Sequence, residues 1–435
     1  MKHHYLIGLF FCFFMVPLLA QQQFPHIEVC GYNRALEQRE KQQPGYLQAV
    51  DATHQQALKI AESMAARMHK MDTIYEIQVV VHVVFNPNQP GSNLDDSLII
   101  NQMKVLNATF GRTNADTIQV RPVFQDRIGQ MPIKFVLARR DPNGRPTTGI
   151  NRVETFRQSF FNPFNLDLVK RSTTGGVDAW DTKTYLNIWV CDLSVFGQDI
   201  LLGFAYPPVG APHWPSVIND NPELEGVVVH NKVFGSNNPL LPAGPIAVYN
   251  QGKTCVHEVG HYLGLRHIWG DGDCSEDDGI ADTPDQDGSS DDCSGRNSCA
   301  SSPEPDMFEN YMDYSGDPCQ VMFSKGQTDL MMANLLTFRS ELAQPRYIGL
   351  SESIFTFGPI PVSKELAINF FPVGEQALKV AAYNVTGHLV LEKQFRYFDV
   401  GRLSLDVSML AQGIYTFVFT YDGKPHVHKV VVARS

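Results

Sequence analysis

The segment His257-Glu258-Val259-Gly260-His261-Tyr262-Leu263-Gly264-Leu265-Arg266-His267 gathers the residues best suited to chemistry. On a helix, residues four apart are turned by about 40° and rise about 6 Å, so His257 and His261 leave one face and can share a metal ion. His267 lies ten residues beyond His257, about 15 Å along a straight helix. It can reach the same ion only if the helix stops and the chain reverses. Gly264 permits this, because glycine reaches φ > 0 without a Cβ penalty. Three neutral nitrogens leave one tetrahedral position open, which is the catalytic arrangement for Zn2+ rather than the structural one. Glu258, next to the first ligand, is placed as general base for the water that zinc activates.

These residues need a helix, and the helix needs a sheet. The pattern predicts a helix over 252–265. Strands are expected at Ile77–Phe85 (IQVVVHVVF), dense in β-branched residues, and at Ile133–Ala138, Tyr185–Leu193, Leu202–Tyr206 and Gly226–Val233. Helical periodicity behind an Asp N-cap marks Asp95–Leu106, and a second capped helix spans Ser324–Leu342. Together they predict an α+β fold with a mixed sheet. Residues 21–75, Gln- and Ala-rich with helical spacing of Ala52, Ala57, Ile60, Ala61, Met64 and Met68, read as a weakly structured prosegment ahead of a catalytic domain at 76–345. From 366 to 434 short alternating strands with Gly or Asp-Gly turns read as a small all-β sandwich, assigned to 346–435.

Composition narrows the function. The 435 residues are 43% hydrophobic, ample for packed cores, and carry a net charge of −11. That balance argues against nucleic acid, which requires a basic stripe. Between Gly270 and Cys319 there are fifteen acidic residues and one basic, so this stretch holds the whole excess. Such a block either repels itself or holds cations. Asp278, Ile280 through its carbonyl, Asp282, Thr283 and Asp287 offer closely spaced hard oxygen donors suited to Ca2+. The same stretch contains Cys274, Cys293, Cys299 and Cys319, whose three possible pairings the spacing leaves open. Staples here imply an oxidising compartment. Lys2, the apolar run Tyr5–Ala20 and the following glutamines read as a signal peptide at 1–20, and no later segment is long enough to span a membrane. Cys191 and Cys255 read as small buried hydrophobes. Cys30, inside the prosegment, supplies a sulfur that could fill the open zinc position of a latent form.

HExxHxxGxxH followed by the methionine turn Asn310-Tyr311-Met312-Asp313-Tyr314 is the metzincin signature. With the loop DGIADTPDQ, NYMDYSGDPC and MFSKGQ, residues 75–345 resemble the pappalysin family of metzincin zinc proteases. The resemblance implies an upper mixed-sheet subdomain carrying the active-site helix, a cleft and an irregular lower subdomain. It implies the pairs Cys274–Cys299 and Cys293–Cys319 and calcium in the DTP-type loop. Met312 would form a hydrophobic floor without ligating zinc, and Tyr314 would stabilise the oxyanion. Leu202–Tyr206 matches the rim strand that pairs antiparallel with substrate. The family also implies a preference for Lys or Arg after the scissile bond, with Asp317 as the pocket acid, and processing near Arg67 or Lys70.

INFFPV (368–373), AAYNVTGHLVLE (381–392), LAQGIYTFVF (410–419) and the closing HKVVVAR resemble the sorting domain of the type IX secretion system. The expected protein is therefore a latent zinc endopeptidase of protein or peptide substrates, exported through the periplasm by that machinery to the exterior or cell surface. The competing reading is a catalytically silent, zinc-containing surface adhesin. A pure binder has no use for Glu258.

Overall fold

A computed structural model of the protein describes residues 27–68, 74–195, 197–211, 214–343, 355–358, 360–370, 377–396, 401–421 and 423–433. The expected signal peptide and Lys70 lie outside the described residues. No helix among the described residues is long and apolar enough to cross a membrane.

The sheet that positions the site is built on β1 (Tyr75–Phe85), whose β-branched run is buried on both faces. On one flank β1 pairs in parallel with β2 (Ile133–Leu137) through its first half and with β3 (Ile150–Glu154) through its second; on the other it pairs with β4 (Leu186–Cys191). Beyond a two-residue hairpin, β5 (Ser194–Val195) with β6 (Gln198–Asp199), the chain forms β7 (Gly203–Ala205). β8 (Val227–His230) is parallel to β4, and β7 closes the edge antiparallel to β8. The sheet is mixed, as expected. β3, short and half-exposed, gives no strong apolar signal and is not among the expected strands.

α3 (Asp96–Phe110) starts where expected, with the Asp95 side chain accepting from the Ser97 N–H. It packs with α4 (Lys253–Tyr262), the metal-motif helix, on one face of the sheet. Below α4 the chain is largely irregular as far as α5 (Lys325–Thr337), which Ser324 and Gln327 open with a capping box. The disulfides Cys274–Cys299 and Cys293–Cys319 form in this lower region, in the pairing the family resemblance implied. Cys191 and Cys255 are free and buried. Three carboxylates of the acidic block are paired with arginines: Glu309 with Arg121 at 2.6 Å, Asp306 with Arg296 at 2.7 Å, and Glu304 with Arg127.

The N-terminal segment departs from expectation. Instead of being weakly structured, it forms α1 (Tyr32–Gln42) and α2 (Tyr46–Met68). Its composition is poor in large apolar residues, but the few it has fall on packed faces. Tyr32, Ala35, Leu36, Tyr46, Ala49 and Val50 are buried with Phe160, Val169, Trp189 and Phe204, while Ala57 and Ala61 join the main core as α2 lies on α5. Tertiary contact, not propensity, orders the segment.

The C-terminal part has two antiparallel sheets around its own core of Leu366, Ile368, Val380, Phe417, Phe419 and Val430. One orders β13 (Gly401–Asp406), β10 (Glu365–Phe370) and β9 (Phe355–Gly358). The other orders β12 (Leu389–Phe395), β11 (Leu378–Tyr383), β14 (Gly413–Tyr421) and β15 (Lys424–Val432). This is the expected sandwich, although part of INFFPV falls outside the described residues.

Candidate active site

His257 and His261 project from one face of α4, and their Nε2 atoms lie 3.0 Å apart. The helix ends at Tyr262, and Gly264 takes φ +98°, where an added Cβ would sit 2.3 Å from the Asn334 amide. The chain turns back there and brings His267 Nε2 to 3.1 Å from His261 Nε2. The reversal expected of Gly264 is the one observed. Gly260 is equally constrained, because a Cβ would meet the Met312 sulfur at 2.6 Å. Met312 thus lies directly beneath α4, fully buried. Its turn is held by Asn310, which accepts from the Met312 N–H and exchanges amide hydrogen bonds with Gln327 of α5.

Each imidazole turns its Nδ1 toward oxygen: His257 to the Tyr311 carbonyl (2.7 Å), His261 to the Leu265 carbonyl (2.8 Å) and His267 to the Asp271 carboxylate (2.5 Å). The protons therefore reside on Nδ1, and three Nε2 lone pairs face one point. With Nδ1 protonated on all three rings, the Nε2···Nε2 contacts at 3.0 and 3.1 Å carry no hydrogen between them, and a cation satisfies all three lone pairs at once. Cys30 Sγ is the fourth donor, all four lying within 4.8 Å of one another and all buried. Neutral imidazoles with one sulfur are the donor set that zinc prefers. Burial and the facing His267 hold His257 neutral, down to about 3, and burial with both neighbours keeps His261 far below its ordinary range. Without a cation, burial and the Glu258 carboxylate keep the Cys30 thiol protonated; a divalent charge in the nest reverses that sign.

Glu258 is fully buried, and neither carboxylate oxygen has a well-formed hydrogen bond. Burial drives its pKa far up, while the nearby Cys30 thiol and Lys170 ammonium pull weakly the other way. Gly203 of β7 makes room for it: a Cβ there would lie 2.8 Å from Glu258 Cγ. The Tyr314 hydroxyl oxygen lies 2.9 Å from His267 Nε2, which sets the phenol beside the metal locus.

The outer edge of β7 is covered by the chain's own N-terminal segment. Glu28 N–H donates to the Ile200 carbonyl (2.8 Å), Leu202 N–H to the Glu28 carbonyl (3.3 Å) and Gly31 N–H to the Gly203 carbonyl (2.8 Å), in parallel register. Tyr32 then stacks on His261, with ring centroids 4.1 Å apart and planes 7° from parallel. Tyr32, Asp271 and Trp269, which stacks on His267 at 4.5 Å, are neighbours that sequence reasoning missed. Only their closeness in sequence to Cys30 and His267 could have pointed to them.

The remaining expected residues divide. Asp278, the Ile280 carbonyl and Thr283 come together: Thr283 Oγ1 lies 2.7 Å from both Asp278 Oδ1 and Ile280 O. Asp278 Oδ2 is buried without a partner, and burial raises this carboxyl to about 8. Asp282 instead accepts from Ser324 Oγ and the Gly326 N–H at the start of α5, and Asp287 is exposed. Among the described residues, the expected calcium carboxylates do not converge on one point as the Cys30–histidine set does. Asp317 is buried, its Oδ2 accepting from the Gln251 and Lys253 N–H groups at the start of α4 and its Oδ1 unpartnered. Arg67 lies in the last turn of α2.

Residues 171–336 match the family model described as pregnancy-associated plasma protein-A, peptidase family M43, and residues 357–433 match the secretion system C-terminal sorting domain. The fold is similar to that of promirolysin from Tannerella forsythia: TM-score 0.61 and 38% identity, covering 73% of this chain and 97% of that one. The chain belongs to the pappalysin family of metalloproteases. Mature mirolysin from Tannerella forsythia, solved in complex with a cleaved peptide, gives TM-score 0.55 and 41% identity over 63% of this pappalysin and 97% of that chain. An extracellular metalloprotease of Arthroderma benhamiae is 37% identical over 142 residues, 32% of this chain and 48% of its own. The chain thus spans about half the length of the curated relatives it matches.

Proposed function

We propose that the protein is a secreted zinc endopeptidase kept latent by its own N-terminal segment. In this reading residues 21–75 are the prosegment, 76–345 the catalytic domain and 346–435 a sorting tail recognised by type IX secretion machinery. The carrying observation is the convergence of three Nε2 lone pairs beside a buried carboxylate whose oxygens have no donor. His257, His261 and His267 would hold zinc, with Cys30 as fourth ligand in the latent form. Bound there, zinc supplies a Lewis acid that makes water nucleophilic near neutral pH and polarises a carbonyl.

The chain's own residues do the rest. Glu258, pressed against β7 by Gly203, takes the proton of the attacking water and returns it to the leaving amine. Tyr314 aims its hydroxyl at the charge developing on the carbonyl oxygen. The edge of β7 offers main-chain hydrogen bonds to an extended peptide running antiparallel. A preference for Lys or Arg after the scissile bond, with Asp317 as the pocket acid, rests on the family resemblance; here Asp317 is fully buried with one oxygen held by the start of α4 and the other without a partner. Calcium at Asp278, Ile280 and Thr283 is supported by the orphaned Asp278 Oδ2.

The test is Glu258→Ala in the zinc-loaded, processed protein. Zinc stoichiometry is expected to stay at one while casein hydrolysis falls about a thousand-fold or more. Casein cleavage near the wild-type rate would remove Glu258 as the base.

A further inference from the structure

Arg39 of α1 is buried, although nothing in the zinc site calls for it. Its Nη2 pairs with Asp167 Oδ2 at 3.0 Å, its Nη1 donates to Asn221 Oδ1 at 3.2 Å, and its guanidinium lies 5.2 Å over the Tyr206 ring. The Tyr206 hydroxyl donates to the same Asp167 oxygen at 3.1 Å, and Asp167 Oδ1 is buried without a partner. Planar cation, carboxylate, amide oxygen and aromatic face together make a pocket built for a guanidinium or ammonium. The nearby Lys170 does not fill it. Its ammonium donates to the Leu224 carbonyl at 2.6 Å and lies over the Phe204 and Tyr206 rings. The second acid of the neighbourhood, Glu225, is already paired with Arg339.

The pocket lies in the cleft. Tyr206 follows directly on β7, the edge that Glu28–Gly31 occupies in parallel register, and α1 carries Arg39 from that edge to the Tyr206 ring. Arg39 is seven residues beyond Tyr32, about 10 Å along the helix axis, the span of roughly three residues of extended chain. A peptide antiparallel to β7 places there the residues that precede the scissile bond. We propose that Asp167, Tyr206 and Asn221 form a second cation-binding subsite. Arg39 occupies it in the precursor, and a Lys or Arg three or four residues before the scissile bond occupies it in the active enzyme. This rests on the protease reading. It concerns the opposite side of the cleft from Asp317, and Asp167 precedes the stretch at 171–336 that matches the family model.

The energetic logic is exchange. When Arg39 leaves, Asp167 is left in a pocket already shaped for a cation, and a substrate cation restores the pair without reorganising the site. Discrimination then comes from not leaving a buried carboxylate unpaired.

The test uses the full chain, loaded with zinc and allowed to process. The product is assayed on one peptide sequence with Arg, Lys, Leu or Glu at each of the second to fifth positions before the bond. Arg or Lys at the third or fourth position is expected to raise kcat/KM over Leu by about ten-fold or more, mainly through KM. Asp167→Asn is expected to bring that Arg-to-Leu ratio close to one. Asn221→Asp adds a second carboxylate on a loop whose φ of 48° an aspartate tolerates, and is expected to raise it. The Asn221 variant carries the test if Asp167→Asn does not fold. Wild-type cleavage with a ratio near one at every position overturns the subsite and leaves the protease standing. A wild-type ratio that neither variant moves overturns the assignment to these residues. No cleavage of any peptide overturns both readings.

Discussion

Substituting Cys30 by alanine separates two barriers that the precursor combines. One is the sulfur in the fourth ligand position. The other is occlusion, and the structure allows it to be sized. Three backbone hydrogen bonds join Glu28–Gly31 to the β7 edge, each contributing about 1 kcal/mol. Tyr32 is fully packed, with about 2 kcal/mol from burial and up to about 1 kcal/mol from its stack on His261. With the thiol gone, about 5 kcal/mol still holds the segment over the site, so well under 1% of molecules are open at any moment. The Cys30→Ala precursor is therefore expected to begin at under about 1% of the mature rate on a quenched fluorescent peptide. It should nevertheless process within a time in which the wild-type precursor stays silent. Adding Tyr32→Ala removes about 3 kcal/mol more and should raise the initial rate about a hundred-fold. Initial rates with parallel gel samples read both quantities. Full mature activity of Cys30→Ala at time zero would show that occlusion counts for nothing. An indefinitely silent Cys30→Ala precursor would show that the sulfur adds nothing to occlusion.

Terminal sequencing of cleaved proteome-derived peptides is expected to show Lys or Arg after the cut, and Asp317→Ala to lose that preference; a profile dominated by apolar residues refutes it. A calcium-selective chelator is expected to lower the melting temperature while zinc stays bound; indifference to the chelator removes calcium from the Asp278 loop. Burial raises Asp317 from 3.8 to about 6, so the stability its protonated form lends is complete below 3.8 and lost as pH climbs through 6. That loss is about 3 kcal/mol, and Asp317→Asn should flatten this part of the pH–stability curve. An unchanged curve in the variant would assign the slope elsewhere.

What the sequence discloses of the site follows from how local the chemistry is. His257, Glu258, His261 and Gly264 lie within one helix and its turn, so helical geometry alone nearly constructs them. Cys30 is far away in sequence, and only its residue type indicated a place beside the histidines. The pocket around Arg39 was invisible, because Asp167, Tyr206 and Asn221 meet across more than fifty residues of chain. The acidic block shows the opposite failure. The block of fifteen carboxylates read as repelling itself or holding cations, yet Glu304, Asp306 and Glu309 are answered by Arg127, Arg296 and Arg121, and Asp282 and Asp317 serve the starts of α5 and α4. Pairing of that kind depends on tertiary approach and leaves no periodic trace. The helical spacing of α2 was legible, but its order was not, because an isolated helix with few large apolar residues is marginal in water and the domain beneath supplies the apolar face.

The direction of Glu28–Gly31 carries a kinetic consequence. The segment lies parallel to the rim strand, so its peptide groups face the metal site in the reverse sense from those of a substrate. A molecule cannot cut the strand that lies in its own groove. On the proposed latency, release is expected to come from another copy, or from a different protease, cutting after α2. Activation is then second order: a lag, an accelerating phase, and a rate that rises with protein concentration. A trace of finished enzyme should abolish the lag. On this reading a precursor diluted on export is expected to stay silent, and one crowded at a surface to be converted by its active neighbours.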